Sequence, residues 1–136
     1  MKNINELSVG DETEFNIYFN QDIHERFKRE YQDTSLVHND DLFAQKAGFK
    51  EKIAYGFNII SYFSRFYGNH LPGGSSICLK QSVKFIKPIY LNDTIKISGK
   101  IININQSLKI ITIKNKVTNQ NGDVCISGEG IVKIVI

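Results

Sequence analysis

The chain has 136 residues, of which 41% are hydrophobic and 23% charged, and its formal net charge is +3. This length and composition indicate one globular domain, which can bury a core without disulfides or metal. The mild basic excess is scattered and does not point to nucleic acid, and no apolar run approaches the ~18 residues of a membrane span.

The first half of the chain is predicted to contain one strand followed by helices. Apolar and polar residues alternate over 13–19, which is typical of a strand with one buried face. An amphipathic helix follows, with an apolar residue at every fourth position from Ile23 to Tyr31. Asn20 or Asp22 is the expected N-cap of this helix.

The next stretch changes its periodicity several times. Residues 31–38 are predicted to form a loop, and a short helix over 40–47 follows. The segment 53–66 is the most apolar helical candidate, and we expect its hydrophobic residues, Phe57 among them, in a core wrapped by other structure. Residues 68–75 are rich in glycine and include a proline, so they are predicted to be a loop.

The second half consists of successive alternating stretches. They predict four strands in a meander, over 77–88, 95–101, 108–117 and 124–136. The first strand places four apolar side chains on one face: Ile77, Leu79, Val83 and Phe85. An antiparallel sheet wrapped around a central apolar helix is therefore the predicted fold, in the α+β class, for a single domain over 1–136.

The cysteines and the N-terminus bear on the cellular compartment. No apolar segment typical of a secretory signal follows the first lysine, so a cytoplasmic protein is the default expectation. The only cysteines, Cys78 and Cys125, lie in apolar strand-like segments. We expect both to be buried free thiols.

Asp33 and His38 are the first candidates for chemistry. A neutral histidine takes a proton from water near pH 7, and a nearby carboxyl group supplies or accepts another. Taken alone, such a pair belongs more often to a solvated loop or a helix cap. The histidines lack metal-ligand spacing, and His24 and His70 are expected at the surface. We predict no metal and no cofactor.

Several motifs, in order along the chain, resemble those of the MaoC-like, (R)-specific enoyl-CoA hydratase family. The first motif is an Asp followed by an aliphatic residue, a His and a small residue, which are Asp33, Val37, His38 and Ala44. The later motifs are a glycine opening the buried helix, an LPG turn, a QSVKFIKP strand and an aspartate before the next strand, at Gly56, 71–73, 81–88 and Asp93. The resemblance covers nearly the whole chain.

The chain departs from this family close to the expected chemistry. The Asn-Pro of the family is Ser35–Leu36 here, and the histidine that usually precedes the helix glycine is Tyr55. Ser35 keeps a hydroxyl for a hydrogen bond across the loop, whereas the loss of proline makes the loop less stiff.

The resemblance implies a hot-dog fold and the reversible hydration of trans-2-enoyl thioesters of CoA or acyl carrier protein to (R)-3-hydroxyacyl thioesters. It implies that Asp33 and His38 activate water and that the Gly56 N–H stabilises the thioester oxyanion. The expected substrate-binding residues are Ser35, Tyr55, Phe57 and Ser61. A homodimer is expected, because a lone hot-dog sheet exposes an edge that needs covering.

Two alternatives remain open at this point. A hot-dog thioesterase would use a carboxylate to direct water at the thioester carbon, and the ordered pair of Asp33 and His38 favours the hydratase over it. A non-catalytic acyl-thioester-binding module would keep the fold without the reaction. The departures at Ser35–Leu36 and Tyr55 are the features that favour the binding module.

Overall fold

A computed structural model describes residues 2–135 as one antiparallel sheet and a series of short helices. Five strands lie within these residues: β1 (Glu12–Tyr18), β2 (Ser76–Phe85), β3 (Thr94–Asn105), β4 (Ile110–Thr118) and β5 (Val124–Ile134). The α-helices are α1 (Gln21–Tyr31), α2 (Leu36–Asn39), α3 (Asp41–Lys46), α4 (Gly56–Ile60) and α5 (Tyr62–Arg65). A 3-10 turn spans Ile4–Glu6, and a π-helical turn spans Phe66–His70. The predicted α+β class is confirmed.

The order of the strands in the sheet is β1-β3-β4-β5-β2, and each strand is antiparallel to its neighbours. β3, β4 and β5 form the predicted meander. The prediction that β2 belongs to this meander is wrong, because β2 pairs with β5 at the edge of the sheet. The chain therefore passes two intervening strands on its way from β2 to β3.

The helical run that packs on the sheet begins at Gly56. α4, α5 and the π-helical turn follow one another with only Ser61 between them, and Ser61 also has helical backbone angles. The run therefore extends to His70, and the loop predicted over 68–75 begins only after it. Among the described helices, none combines the length and apolar character needed to cross a membrane.

One side of this run is buried and the other is open. Ile59, Phe63 and Phe66 are buried in the same core cluster as the inward-facing isoleucines of β3 and β4. Phe57 is 70% exposed, so the prediction that it packs in the core is wrong. The apolar sequence of this helical run predicted that all of its faces would be buried. Within residues 2–135, however, no element covers the face that carries Phe57.

The apolar side chains of β2 are exposed as well. Ile77, Leu79 and Phe85 are each about half exposed, and Cys78 is an exposed free thiol. The prediction of buried cysteines is therefore right for Cys125 and wrong for Cys78. β2 is an edge strand whose register shifts after Cys78, so its alternation does not by itself define a buried face.

The segment between α1 and α4 carries most of the candidate site. α1 begins as predicted, because the Asn20 side chain accepts a hydrogen bond from the Ile23 N–H at 3.0 Å. It ends at Tyr31 and is capped by Gln32, whose backbone is left-handed with φ of 57°. The loop predicted over 31–38 is partly wrong, because His38 lies in the single helical turn of α2.

Candidate active site

An open groove of about 610 Å³ lies beside the start of α4. Its lining contains six of the seven site residues predicted from the sequence: Asp33, His38, Tyr55, Gly56, Phe57 and Ser61. Phe27 and Tyr31 from α1 also line this groove, and the Phe27 ring packs against Tyr55 with 4.9 Å between the centroids. The seventh residue, Ser35, is absent from the lining and contacts Asp33 instead.

A second groove of about 540 Å³ meets the first at this point. The residues that line both grooves are Asp33, His38, Gly56 and Phe57. The rest of the second groove is mainly apolar, with Ile53, Phe85 and Ile89 among its lining residues. An apolar groove with a few polar groups at one end is the usual form of a site for a small, partly apolar ligand.

The ring of His38 is held in one tautomer. Its Nδ1 lies 2.8 Å from the backbone carbonyl oxygen of Ile53. Because a carbonyl oxygen only accepts, Nδ1 carries the proton of the neutral ring, and Nε2 keeps its lone pair. His38 in this state is a base that can accept a proton from water in the groove.

The Asp33 carboxylate is exposed and supported by its own loop. Its Oδ1 accepts a hydrogen bond from the Ser35 backbone N–H at 3.0 Å. This bond, then the Ser35 hydroxyl, and then the His38 ring lower the pKa of Asp33. Asp33 is therefore ionised at neutral pH in the free chain, and Ser35 holds its carboxylate in place.

Tyr55 lies beneath the pair. It is only 2% exposed, although its ring reaches the groove, and its ring centroid is 4.3 Å from that of His38. Its hydroxyl donates to the backbone carbonyl of Asp33 and accepts a hydrogen bond from the Asn39 side-chain amide at 3.0 Å. Burial raises the pKa of Tyr55, so the hydroxyl remains a neutral donor at neutral pH. Tyr55 thus joins the backbone of Asp33 to the ring of His38.

Gly56 opens α4 directly after Tyr55. The N–H at the first position of a helix has no carbonyl partner in that helix. A Cβ atom at Gly56 would lie 2.5 Å from Cε1 of Phe85, so a larger residue would have to displace the Phe85 ring. Glycine therefore fits the close approach of the half-exposed Phe85 ring of β2, and Gly56 lines both grooves.

Ser61 and Phe57 occupy the exposed side of the helical run next to the groove. The Ser61 hydroxyl donates to the Phe57 carbonyl at 2.7 Å, which is the usual bond of a helical serine to its own preceding turn. The Phe57 ring meets Phe85 edge-on, with 6.4 Å between the centroids. Both residues line the groove, and their roles in binding substrate stay predictions.

His24 is not at the surface, as predicted from the sequence, but fully buried beneath the site. Its Nε2 donates to the backbone carbonyl of His38 at 2.8 Å, and its ring stacks on Tyr55 at 4.9 Å. The sequence does contain a sign of this burial. Phe27 and Tyr31 follow His24 at the third and seventh positions, so the three residues lie on the same face of the helix.

His70 was also expected at the surface, but it is half-buried. Its ring stacks on that of Phe15, with 4.6 Å between the centroids. Within residues 2–135, no group of three or more His, Cys, Asp or Glu side chains is placed to hold a metal ion.

Comparison with known proteins finds relatives over most of the chain. The model of the MaoC-like domain family matches residues 8–122. An (R)-specific enoyl-CoA hydratase of Aeromonas caviae is 30% identical over 103 residues, which are 76% of this chain and 77% of that protein. A mitochondrial 3-hydroxyacyl-[acyl-carrier-protein] dehydratase of Arabidopsis thaliana is 30% identical over 81% of this chain and 61% of its own length. The solved structure of the A. caviae (R)-hydratase involved in PHA biosynthesis has a TM-score of 0.89 at 28% identity, covering 95% of this chain and 98% of that one.

Proposed function

This chain is an enzyme of the MaoC-like domain family with the hot-dog fold, and we propose that it reversibly hydrates trans-2-enoyl thioesters to (R)-3-hydroxyacyl thioesters at Asp33 and His38. We treat residues 1–136 as one such domain. The observation that carries the proposal is that Asp33, His38 and Gly56, separated in sequence, line the same junction of two grooves. The relatives act as a hydratase and a dehydratase, which are the two directions of one reaction.

His38 acts as the base in the hydration direction. The bond from its Nδ1–H to the Ile53 carbonyl leaves Nε2 free to accept a proton. It removes that proton as the water oxygen attacks the β-carbon of the enoyl thioester. General-base catalysis of this kind typically contributes about 10²–10⁴-fold in rate.

Asp33 supplies the proton that the α-carbon gains. The carboxylate is ionised in the free chain, but an apolar acyl chain in the groove removes water from around it. Loss of water raises the pKa of a carboxyl group and favours its protonated form. Asp33 therefore takes up a proton from solvent when the substrate binds, and it gives this proton to the α-carbon. The proton that His38 took from water then passes to Asp33, so that both residues return to the states they had in the substrate complex.

The backbone N–H of Gly56 stabilises the negative charge that develops on the thioester oxygen. The amide is the first of a helical run that continues to His70, so it has no helical partner and lies at the positive end of the helix dipole. Losing one donor of this kind typically costs about 3–4 kcal/mol of transition-state stabilisation.

We assign the acyl chain to the apolar groove beyond Gly56, where Ile53, Phe85 and Ile89 form part of the lining. The thioester group then lies between Asp33 and the Gly56 amide, and the CoA or acyl-carrier part extends out of the groove. The cytoplasmic location expected from the sequence stays a prediction.

A homodimer is the second part of the proposal. β2 is an edge strand with exposed Ile77, Leu79 and Phe85, and Phe57 is exposed beside them. An apolar edge strand favours pairing with another chain, and a second copy is the simplest partner. Sedimentation should give twice the 15.5 kDa of one chain. A monomer at assay concentration would contradict this part alone.

The test of the catalytic assignment is a comparison of variants with crotonyl-CoA as substrate. Asp33→Asn and His38→Gln should each lower the rate of loss of enoyl thioester absorbance by about 10²-fold or more. Asp40→Asn is the matched control, because Asp40 caps α3 and is absent from both grooves. Full activity of either site variant would overturn the assignment.

The same assay separates the alternatives. Release of free thiol from a saturated acyl-CoA would indicate a thioesterase. Binding of acyl-CoA without turnover of any thioester would indicate the non-catalytic module.

A further inference from the structure

His24 is a buried titratable residue that the proposed reaction does not use. Its side chain is fully inaccessible to solvent. The ring Nε2 lies 2.8 Å from the backbone carbonyl oxygen of His38. Because that oxygen only accepts, Nε2 carries a proton and donates it to the hydrogen bond.

The surroundings of the second ring nitrogen of His24 indicate that the ring is neutral. Within residues 2–135, its buried Nδ1 has no hydrogen-bond partner. Protonation would add a charge and a donor without an acceptor, which is unfavourable in a buried place. Burial is the largest effect on the ring and lowers the pKa of His24, and the charges of Lys52 and the His38 ring act in the same direction. The hydrogen bond to the His38 backbone and the Glu25 carboxylate raise the pKa and are outweighed. At neutral pH the ring is therefore a neutral Nε2–H donor.

The same ring is also part of a stack beneath the site. The centroids of His24 and Tyr55 are 4.9 Å apart, and those of Tyr55 and His38 are 4.3 Å apart. The Tyr55 hydroxyl donates to the backbone carbonyl of Asp33. His24 thus contacts the backbone of one proposed catalytic residue directly and that of the other through Tyr55.

α2 needs such support, because it is a single turn of four residues, Leu36–Asn39, without a side-chain cap. A helix of one turn is not stable alone, so its position depends on tertiary contacts. The His24 hydrogen bond is one of these contacts, and it holds the residue that bears the catalytic ring.

We propose that His24 is a positioning residue, which fixes the backbone of His38 so that its Nδ1–H reaches the Ile53 carbonyl and its Nε2 remains the base. This inference rests on the proposed function. Small displacements of catalytic groups have large effects on rate, since a shift of about 1 Å can lower it about 10²-fold.

The test compares His24→Met with His24→Gln, two unbranched side chains of similar length that differ in whether they can donate a hydrogen bond. His24→Met should lower kcat about tenfold or more with KM within about twofold, whereas His24→Gln should keep kcat within about threefold of the wild type. His70→Met is the matched control, because His70 is a stacked, half-buried histidine outside both grooves. Its kcat should stay within about twofold of the wild type.

Equal kcat values for the Met and Gln variants, or a loss seen only in KM, would overturn the inference. These results would leave the proposed function standing, because it is tested by the wild type and by the variants of His38.

A second measurement does not depend on turnover, and its wild-type part does not depend on the folding of His24→Met. Long-range ¹⁵N–¹H NMR of the wild type should show His24 as the Nε2–H tautomer and His38 as the Nδ1–H tautomer. In His24→Met the His38 ring should become a mixture of tautomers, and in His24→Gln it should not. An Nδ1–H tautomer of His24 in the wild type would overturn the inference even if the enzyme is active.

Discussion

The Tyr55 hydroxyl donates a hydrogen bond to the backbone carbonyl of Asp33, 22 positions earlier in the chain. In the MaoC-like family a histidine usually stands at the position of Tyr55. The residue type differs here, but the side chain remains part of the site. Its hydroxyl fixes the loop that carries the carboxylate, and its ring packs against His38. This departure therefore keeps a hydrogen bond to the Asp33 loop and a ring contact with His38 at the proposed site.

Removing the hydroxyl of Tyr55 should weaken the site without removing the ring stack. In Tyr55→Phe the Asp33 carbonyl loses this donor and the Asn39 amide keeps only its bond to the Ser35 carbonyl among these contacts, which typically costs about 0.5–1.5 kcal/mol per bond lost. We expect a lower free energy of unfolding in urea and a kcat reduced about tenfold. Tyr18→Phe is the control, since the exposed Tyr18 hydroxyl donates to the exposed Asn92 away from the site, and it should change neither quantity.

Gly56→Ala should destabilise the fold because of its contact with β2. The new methyl group would lie 2.5 Å from the Phe85 ring, which is half exposed and would have to turn aside, so we expect a loss of about 1 kcal/mol, the low end of the range for overpacking. Chemical denaturation measures the loss, and Phe85→Leu in the same chain should recover most of it. Gly68→Ala is the control, because nothing lies within 4 Å of its added Cβ. Equal stability of the two alanine variants would contradict the packing account.

Stability should fall as the pH falls below the ordinary pKa of histidine, and His24 should account for part of this. Burial lowers the pKa of His24 in the folded chain below the ordinary value of about 6.5, so between the two values the unfolded chain binds more protons than the folded one. The free energy of unfolding therefore decreases as pH falls through this window. Urea titrations from about pH 7.5 to about pH 5 should show a shallower slope for His24→Gln. An unchanged slope would mean that His24 does not stay neutral in the folded chain.

Ser35→Ala should raise the pKa of Asp33. The variant keeps the backbone N–H bond, which is the largest cause of the lowered pKa, and loses the hydroxyl, which is the second. NMR titration of the Asp33 carboxyl should show a partial shift upward. Thr34→Ala, at the neighbouring position, should leave the titration unchanged.

Local sequence patterns predict much of this framework. The alternation of apolar and polar residues predicts the strands, and Asn20, one of the two predicted caps, is the N-cap of α1. Both features can be predicted because they depend on neighbours in sequence. The ordered motifs single out Asp33, His38 and Gly56, which the fold brings to one junction.

Other features depend on contacts between distant residues and are not readable from the sequence. The alternation in β2 predicts a strand but not its pairing with β5, which depends on the path of the chain across the sheet. His24 is buried because Tyr55 and His38 come from later segments to cover it. Phe57 is exposed because its helical face has no covering element among the described residues.

The most direct test of the account is the hydration of crotonyl-CoA by the purified wild-type protein, followed by chiral analysis of the product. The account predicts loss of the conjugated enoyl thioester absorbance without thiol release, and (R)-3-hydroxybutyryl-CoA as the product. Formation of the (S) product, or no hydration of crotonyl-CoA or of a longer enoyl-CoA, would contradict it.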